Sequence, residues 1–112
     1  MPNTILWLDS KNAKIFNLDE GKLTTRQLHP HDPDHHTHSK NEGENESSRF
    51  FKTIGEEIKN KKHILILGPG LAKKHFSAYL KTHYPSVHEN LLALVTIDHP
   101  TTAQIIEYFK IM

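Results

Sequence analysis

The chain has 112 residues, and fourteen basic against thirteen acidic side chains leave a formal charge of +1. That size fits one domain, residues 1–112, with a small core, and the balanced charge excludes the strong basic excess of a protein that wraps duplex DNA. Cysteine is absent, which excludes disulfides, thiolate zinc sites and cysteine nucleophiles, and no window approaches the run of about eighteen apolar residues that a membrane span needs.

The opening "MPNTILWLDS" lacks the basic, long apolar pattern of a secretion leader, so a cytoplasmic location is expected. Residues 4–9, "TILWLD", are short, apolar and β-rich, and Ser10-Lys11-Asn12 reads as a turn. "AKIFNL" at 13–18 is a second strand, closed by the turn Asp19-Glu20-Gly21. The third, "KLTTRQLH", sets Leu23, Thr25 and Gln27 on one face and Thr24, Arg26 and Leu28 on the other. Its polarity predicts an edge position in a β-meander.

Residues 30–48 carry no hydrophobic periodicity and read as a long loop, histidine-rich and then acidic. Phe50, Phe51, Ile54 and Ile58 share one helical face, so a helix is predicted over 49–60, with Ser47 or Ser48 as its N-cap. "HILILG" is a continuous apolar run ended by glycine, as in a strand buried on both faces. After "GPG", Ala72, Phe76, Tyr79 and Leu80 mark an amphipathic helix reaching about His83. Ser86 and Glu89 suggest a capping box on one short turn, and "LLALVTI" reads as a second fully buried strand. Thr101 and Gln104 form a further capping box, opening a last helix with Ile105, Ile106 and Phe109 inward. The order β-β-β-α-β-α-β-α predicts an α/β fold, a mixed central sheet with helices packed on its faces.

The segments "LWLDSKNAKIF", "HPHDPDHHTHSK", "ILILGPGLAKKHFSAYLKTHYP" and "IDHPTTAQIIEYFK", in that order, resemble small bacterial proteins of the translational-machinery-protein family. Those proteins are similar to the C-terminal domain of archaeal and eukaryotic class-one peptide-chain release factors and of Pelota. More distantly, the opening strands and "ILILGPG" resemble bacterial host-attachment proteins. The resemblance spans nearly the whole chain. Its most specific parts are Gly68-Pro69-Gly70 with Ala72 and Lys73, and Asp98-His99-Pro100-Thr101. The family continues the second motif with Asp-Gly-Gln, whereas Thr102-Ala103-Gln104 stands here, which keeps the helix start and changes its surface. What the resemblance implies is a docking module with the ribosome or a translation factor as partner. The Gly-Gly-Gln motif of peptide release belongs to another domain of those factors and does not occur here, so no such activity is carried over.

Three places could carry chemistry. At Gly68–His75 a glycine turn leaves a strand and opens a helix, an arrangement that can hold an anion, with Gly68, Gly70, Lys73 and Lys74 as candidates. The spacing is neither a Walker loop nor a dinucleotide fingerprint, and a tight connector is the plainer reading. Asp98 and His99 sit where a strand ends, the side on which α/β folds place ligands; an acid–base pair there lacks a convincing nucleophile, and a turn again explains the residues more simply. Third, His29, His31, His35, His36 and His38 could offer imidazoles to zinc or nickel, with Asp32 and Asp34 as carboxylate options. A solvated loop, an RNA contact or a response to pH fits the same residues. The basic run Lys59-Asn60-Lys61-Lys62-His63 suits a helix end and could also touch ribosomal RNA; Trp7 and Phe16 read as packing rather than base-stacking platforms.

The leading reading is a non-enzymatic module bound to the translation apparatus, without a role on DNA or membranes. The alternatives are a metal- or pH-responsive protein using residues 29–38, and an enzyme or binder for a phosphorylated ligand at the 68–74 and 98–99 edge.

Overall fold

A computed structural model describes residues 2–29 and 46–111. Among these, five strands and four helices follow in the order β1 (Thr4–Leu8), β2 (Ala13–Asp19), β3 (Lys22–Leu28), α1 (Glu46–Ile58), β4 (Ile64–Gly68), α2 (Ala72–His83), α3 (Pro85–Glu89), β5 (Leu91–Thr96) and α4 (Thr102–Ile111). The strands form one mixed sheet in the order β3-β2-β1-β4-β5, with the polar β3 at an edge as its composition predicts. β1, β4 and β5 are parallel, β2 pairs antiparallel with β1, and β3 pairs antiparallel with β2.

Local chemistry sets the turns. The Asp9 carboxylate accepts the backbone N–H groups of Lys11 at 2.8 Å and Asn12 at 2.6 Å, closing the β1–β2 connection. β2 and β3 are joined by Glu20 (φ 52°) and Gly21 (φ 79°), a two-residue turn whose left-handed backbone matches the twist of the strands.

Alternation along the strands divides the core into two layers. On one face Leu6, Leu8, Ala13, Ile15, Ile64 and Ile66 meet Phe50, Ile54 and Ile58 of α1, Phe76 and Leu80 of α2, and Val87 of α3. On the other, Ile5, Trp7, Phe16, Leu65 and Leu67 meet Ile105 and Phe109 of α4. Each fully buried large side chain contributes about 1.5–3 kcal/mol. The first layer is tied at its rim by Tyr84, whose ring packs so closely on Gly55 of α1 that a Cβ there would stand 2.6 Å from a ring carbon. Its hydroxyl donates to Glu56 at 2.7 Å, and Lys59 donates to the same carboxylate at 2.8 Å. The Lys59 hydrogen bond first, then that of Tyr84, holds Glu56 below its usual pKa. Burial, then the bond to Glu56, pushes the Tyr84 phenol up to about 12.

Several boundaries differ from the sequence expectation. α1 begins at Glu46, so Ser47 and Ser48 lie within it instead of capping it; a polar first turn leaves no trace in apolar periodicity. The Ser86–Glu89 capping box does not form, because Pro85 at the first helical position starts α3 two residues earlier, with Tyr84 as N-cap and no side-chain cap bond. β5 is an edge strand and not fully buried: Leu92 is 45% and Leu94 36% exposed. A register shift between Ile64 and Leu65 leaves Leu92 without a partner on β4, and an apolar run cannot by itself show whether a second neighbour strand exists. Ile106 points outward at 38% exposure, while Ile105 and Phe109 are buried as expected. No helix among the described residues is long and apolar enough to cross a membrane.

Candidate functional site

Three connections leave the sheet at the carboxyl ends of the parallel strands: the turn after β1, the glycine turn after β4 and residues 97–101 after β5. β3 also finishes at this edge, since Leu28 pairs with Ala13 and Ala13 with Leu8. The edge shared by the glycine turn and Asp98–His99 is therefore real, and the Ile97 N–H donates to the Gly68 carbonyl at 3.1 Å. The two motifs nevertheless part company. α2 packs on the first face of the sheet and α4 on the second, so each turn carries its residues to an opposite side.

The glycine turn is closed by its own side chains. Gly68 (φ 156°) runs so close to β1 that a Cβ would strike the Leu8 carbonyl oxygen, and Gly70 is left-handed at φ 65°. Lys73 is buried, and its ammonium donates to the Gly70 carbonyl at 2.7 Å, committing that charge to the turn. Lys74 is exposed.

After β5 the backbone is fixed from below. The Trp7 indole N–H donates to the Asp98 carbonyl at 2.7 Å. The indole ring lies 5.3 Å from the His99 imidazole, tilted by 32°, and the His99 Nε2 stands 3.6 Å from the Asp98 carboxylate. Both side chains are about three-quarters exposed, His99 75% and Asp98 79%. Thr101 and Gln104 form the expected capping box: the Thr101 N–H donates to the Gln104 side chain at 2.9 Å, and the Gln104 N–H to the Thr101 hydroxyl at 3.1 Å.

Between this loop and the β2–β3 shelf opens a cleft of about 270 Å³. Register explains its composition. Trp7 pairs with Lys14 and Lys14 with Gln27 in one row across the sheet, while Phe16 pairs with Thr25 in the next, and all five face α4. His99, Pro100, Thr102 and Ile105 form the opposite wall. Trp7 and Phe16 are 4% and 8% exposed, so they are packing residues, as expected, that also floor the cleft. Of the sequence candidates only His99 lines it. Lys14, Thr25 and Gln27 were not candidates; the available signal was the alternation that sets Thr25 and Gln27 on one face of β3, which acquires meaning only once the pairing with β2 is known.

Among the histidine candidates, His29 is exposed just past β3, and His31, His35, His36 and His38 lie outside the described residues. Among the described residues no group of three His, Cys, Asp or Glu side chains could hold a metal ion.

No protein-family model and no curated protein matches the chain. Solved structures do. Pelota from Archaeoglobus fulgidus superposes with a TM-score of 0.67 at 20% identity, covering 96% of this chain and 30% of that one. An archaeal protein gives 0.64 at 24% identity over 94% of this chain and 32% of its own, and the archaeal translation termination factor aRF1 gives 0.60 at 22% over 93% and 32%. At these identities the likeness is one of fold, and this chain spans about a third of the length of each matched protein.

Proposed function

We propose that the chain is a non-catalytic binding module of the translation apparatus, docking on the ribosome or on a translation factor in the cytoplasm. The observation that carries this reading is the fold likeness to Pelota and to aRF1, which extends over 93% or more of the chain. A match to about a third of each neighbour fits a single domain, and the sequence resemblance points to the C-terminal, partner-binding domain of release factors. The geometry of the Asp98–His99 pair supports a non-catalytic role. Both side chains are largely in solvent, and at 3.6 Å the Asp98 carboxylate makes no hydrogen bond that would orient the His99 imidazole.

Sedimentation of cell extracts at physiological salt tests the proposal. The chain is expected in ribosomal subunit, monosome or polysome fractions. Absence from all of them, in both growing and starved cells, overturns it.

A further inference from the structure

The cleft beside α4 has a chemistry of its own, independent of any translation role. Its floor is flat and apolar, made by Trp7 and Phe16. One wall is the His99 imidazole, held beside the Trp7 ring and the Asp98 carboxylate while most of its surface stays open. The opposite wall carries the Thr25 hydroxyl and the Gln27 amide, neither of which makes a side-chain hydrogen bond among the described residues. The Lys14 ammonium is exposed, and among the described residues it has no ion pair and no carboxylate lines the cleft. Thr102, in the first turn of α4, adds a hydroxyl at the positive end of the helix dipole.

A ligand matching these walls is planar, offers hydrogen-bonding edges and is anionic, and 270 Å³ admits only a small one. We infer that the cleft binds one nucleotide, its base lodged against His99 above the Trp7–Phe16 floor, its edge met by Thr25 and Gln27, and its phosphate paired with Lys14. Aromatic and imidazole stacking with polar groups reading an unpaired base is the usual way proteins hold single nucleotides of RNA. A free mononucleotide offers the same chemistry.

Trp7 is the only tryptophan of the chain, so its fluorescence reports on the cleft directly. The full chain is titrated with adenosine and uridine monophosphates, and separately with single-stranded hexaribonucleotides of adenosine and uridine. Saturable quenching is expected, weakened about tenfold or more by His99→Ala, in line with the roughly 1–3 kcal/mol of one stacked base, and weakened again by Lys14→Glu. Both positions are exposed, and unchanged circular dichroism and urea midpoints show that the variants remain folded. A hexanucleotide binding far more tightly than the monophosphate assigns the site to RNA, and equal affinities assign it to free nucleotide; either supports the inference. No saturable change with any of these ligands at millimolar concentration, or affinities untouched by both substitutions, overturns it. A chain that sediments with ribosomes yet fails this titration loses this inference and keeps the proposed function.

Discussion

Among the described glycines, Gly68→Ala should be the most damaging alanine substitution. Two costs combine. At φ 156° an L side chain is strained, which costs about 1–3 kcal/mol. The new Cβ would also strike the Leu8 carbonyl oxygen and approach the Leu8 carbonyl carbon to 3.1 Å. Those are backbone atoms of β1, so relief requires opening the end of the β1–β4 pairing, next to the Trp7–Leu67 pair. Such overpacking adds about 1–3 kcal/mol, giving roughly 2–6 kcal/mol in all, a large part of the 5–15 kcal/mol of a typical domain. Gly70→Ala is the internal control. It is left-handed at φ 65° with no atom within 4 Å of its Cβ, so it carries only the conformational cost of about 1–2 kcal/mol. Urea unfolding followed by Trp7 fluorescence and circular dichroism measures both. If Gly68→Ala costs less than about 1 kcal/mol, or no more than Gly70→Ala, the close approach of the two strands does not exist as described.

Thr101→Ala removes the hydroxyl that accepts the Gln104 N–H and should destabilise the protein by about 0.5–2 kcal/mol in the same assay, with Thr101→Ser recovering most of the loss. Glu20→Asn replaces a left-handed residue by one that tolerates φ 52° and creates the Asn-Gly pair that two-residue hairpins favour; the urea midpoint should rise, reflecting a gain of about 0.5–1 kcal/mol in unfolding free energy. The Tyr84 phenol is raised above its usual 10.0 to about 12, so the folded state holds that proton more tightly than the unfolded chain. Its contribution to stability is complete below pH 10 and is lost as pH rises through about 12. Ultraviolet titration should show a phenolate step near 12 that disappears in Tyr84→Phe and moves down, though not fully, in Glu56→Gln, because burial outweighs the hydrogen bond.

Much of the fold was legible because its signals are local. Ala72, Phe76 and Leu80 fix the face of α2, the apolar run 64–68 fixes a doubly buried β4, and Thr101 with Gln104 fixes the start of α4. The misread parts depend on neighbours that no local pattern names. Leu92 and Leu94 are as apolar as Leu65 and Leu67, and only the place of β5 at the sheet edge makes them exposed. Lys73 was an anion-binding candidate in a first helical turn beside the plainer reading of a tight connector, and only the folded chain shows its stem turning back to close the Gly70 carbonyl. The cleft was the least legible feature, since its walls come from β1, β2, β3, the loop after β5 and α4. His99 could be singled out from its place after a strand, whereas Lys14 and Gln27 became site residues only through pairing with Trp7 and with each other.

The cleft itself follows from the number of helices on each face. Strands spaced about 4.8 Å apart make a five-stranded sheet about 20 Å wide, and a helix with its side chains covers only about 10–12 Å. Two long helices, α1 and α2, suffice on the first face, but on the second α4 packs alone over Ile5, Trp7, Leu65 and Leu67. On the half of that face belonging to β2 and β3, α4 reaches the Phe16 ring but leaves the outer strand without a second helix above it among the described residues. An apolar shelf there would expose a sticky patch, and the sequence instead supplies Lys14, Thr25 and Gln27, with the Phe16 ring tucked beneath. The polarity of β3 thus answers two demands at once. It makes an edge strand unattractive to stray β-pairing, and it furnishes the hydrogen-bonding wall of the cleft that α4 leaves open against His99.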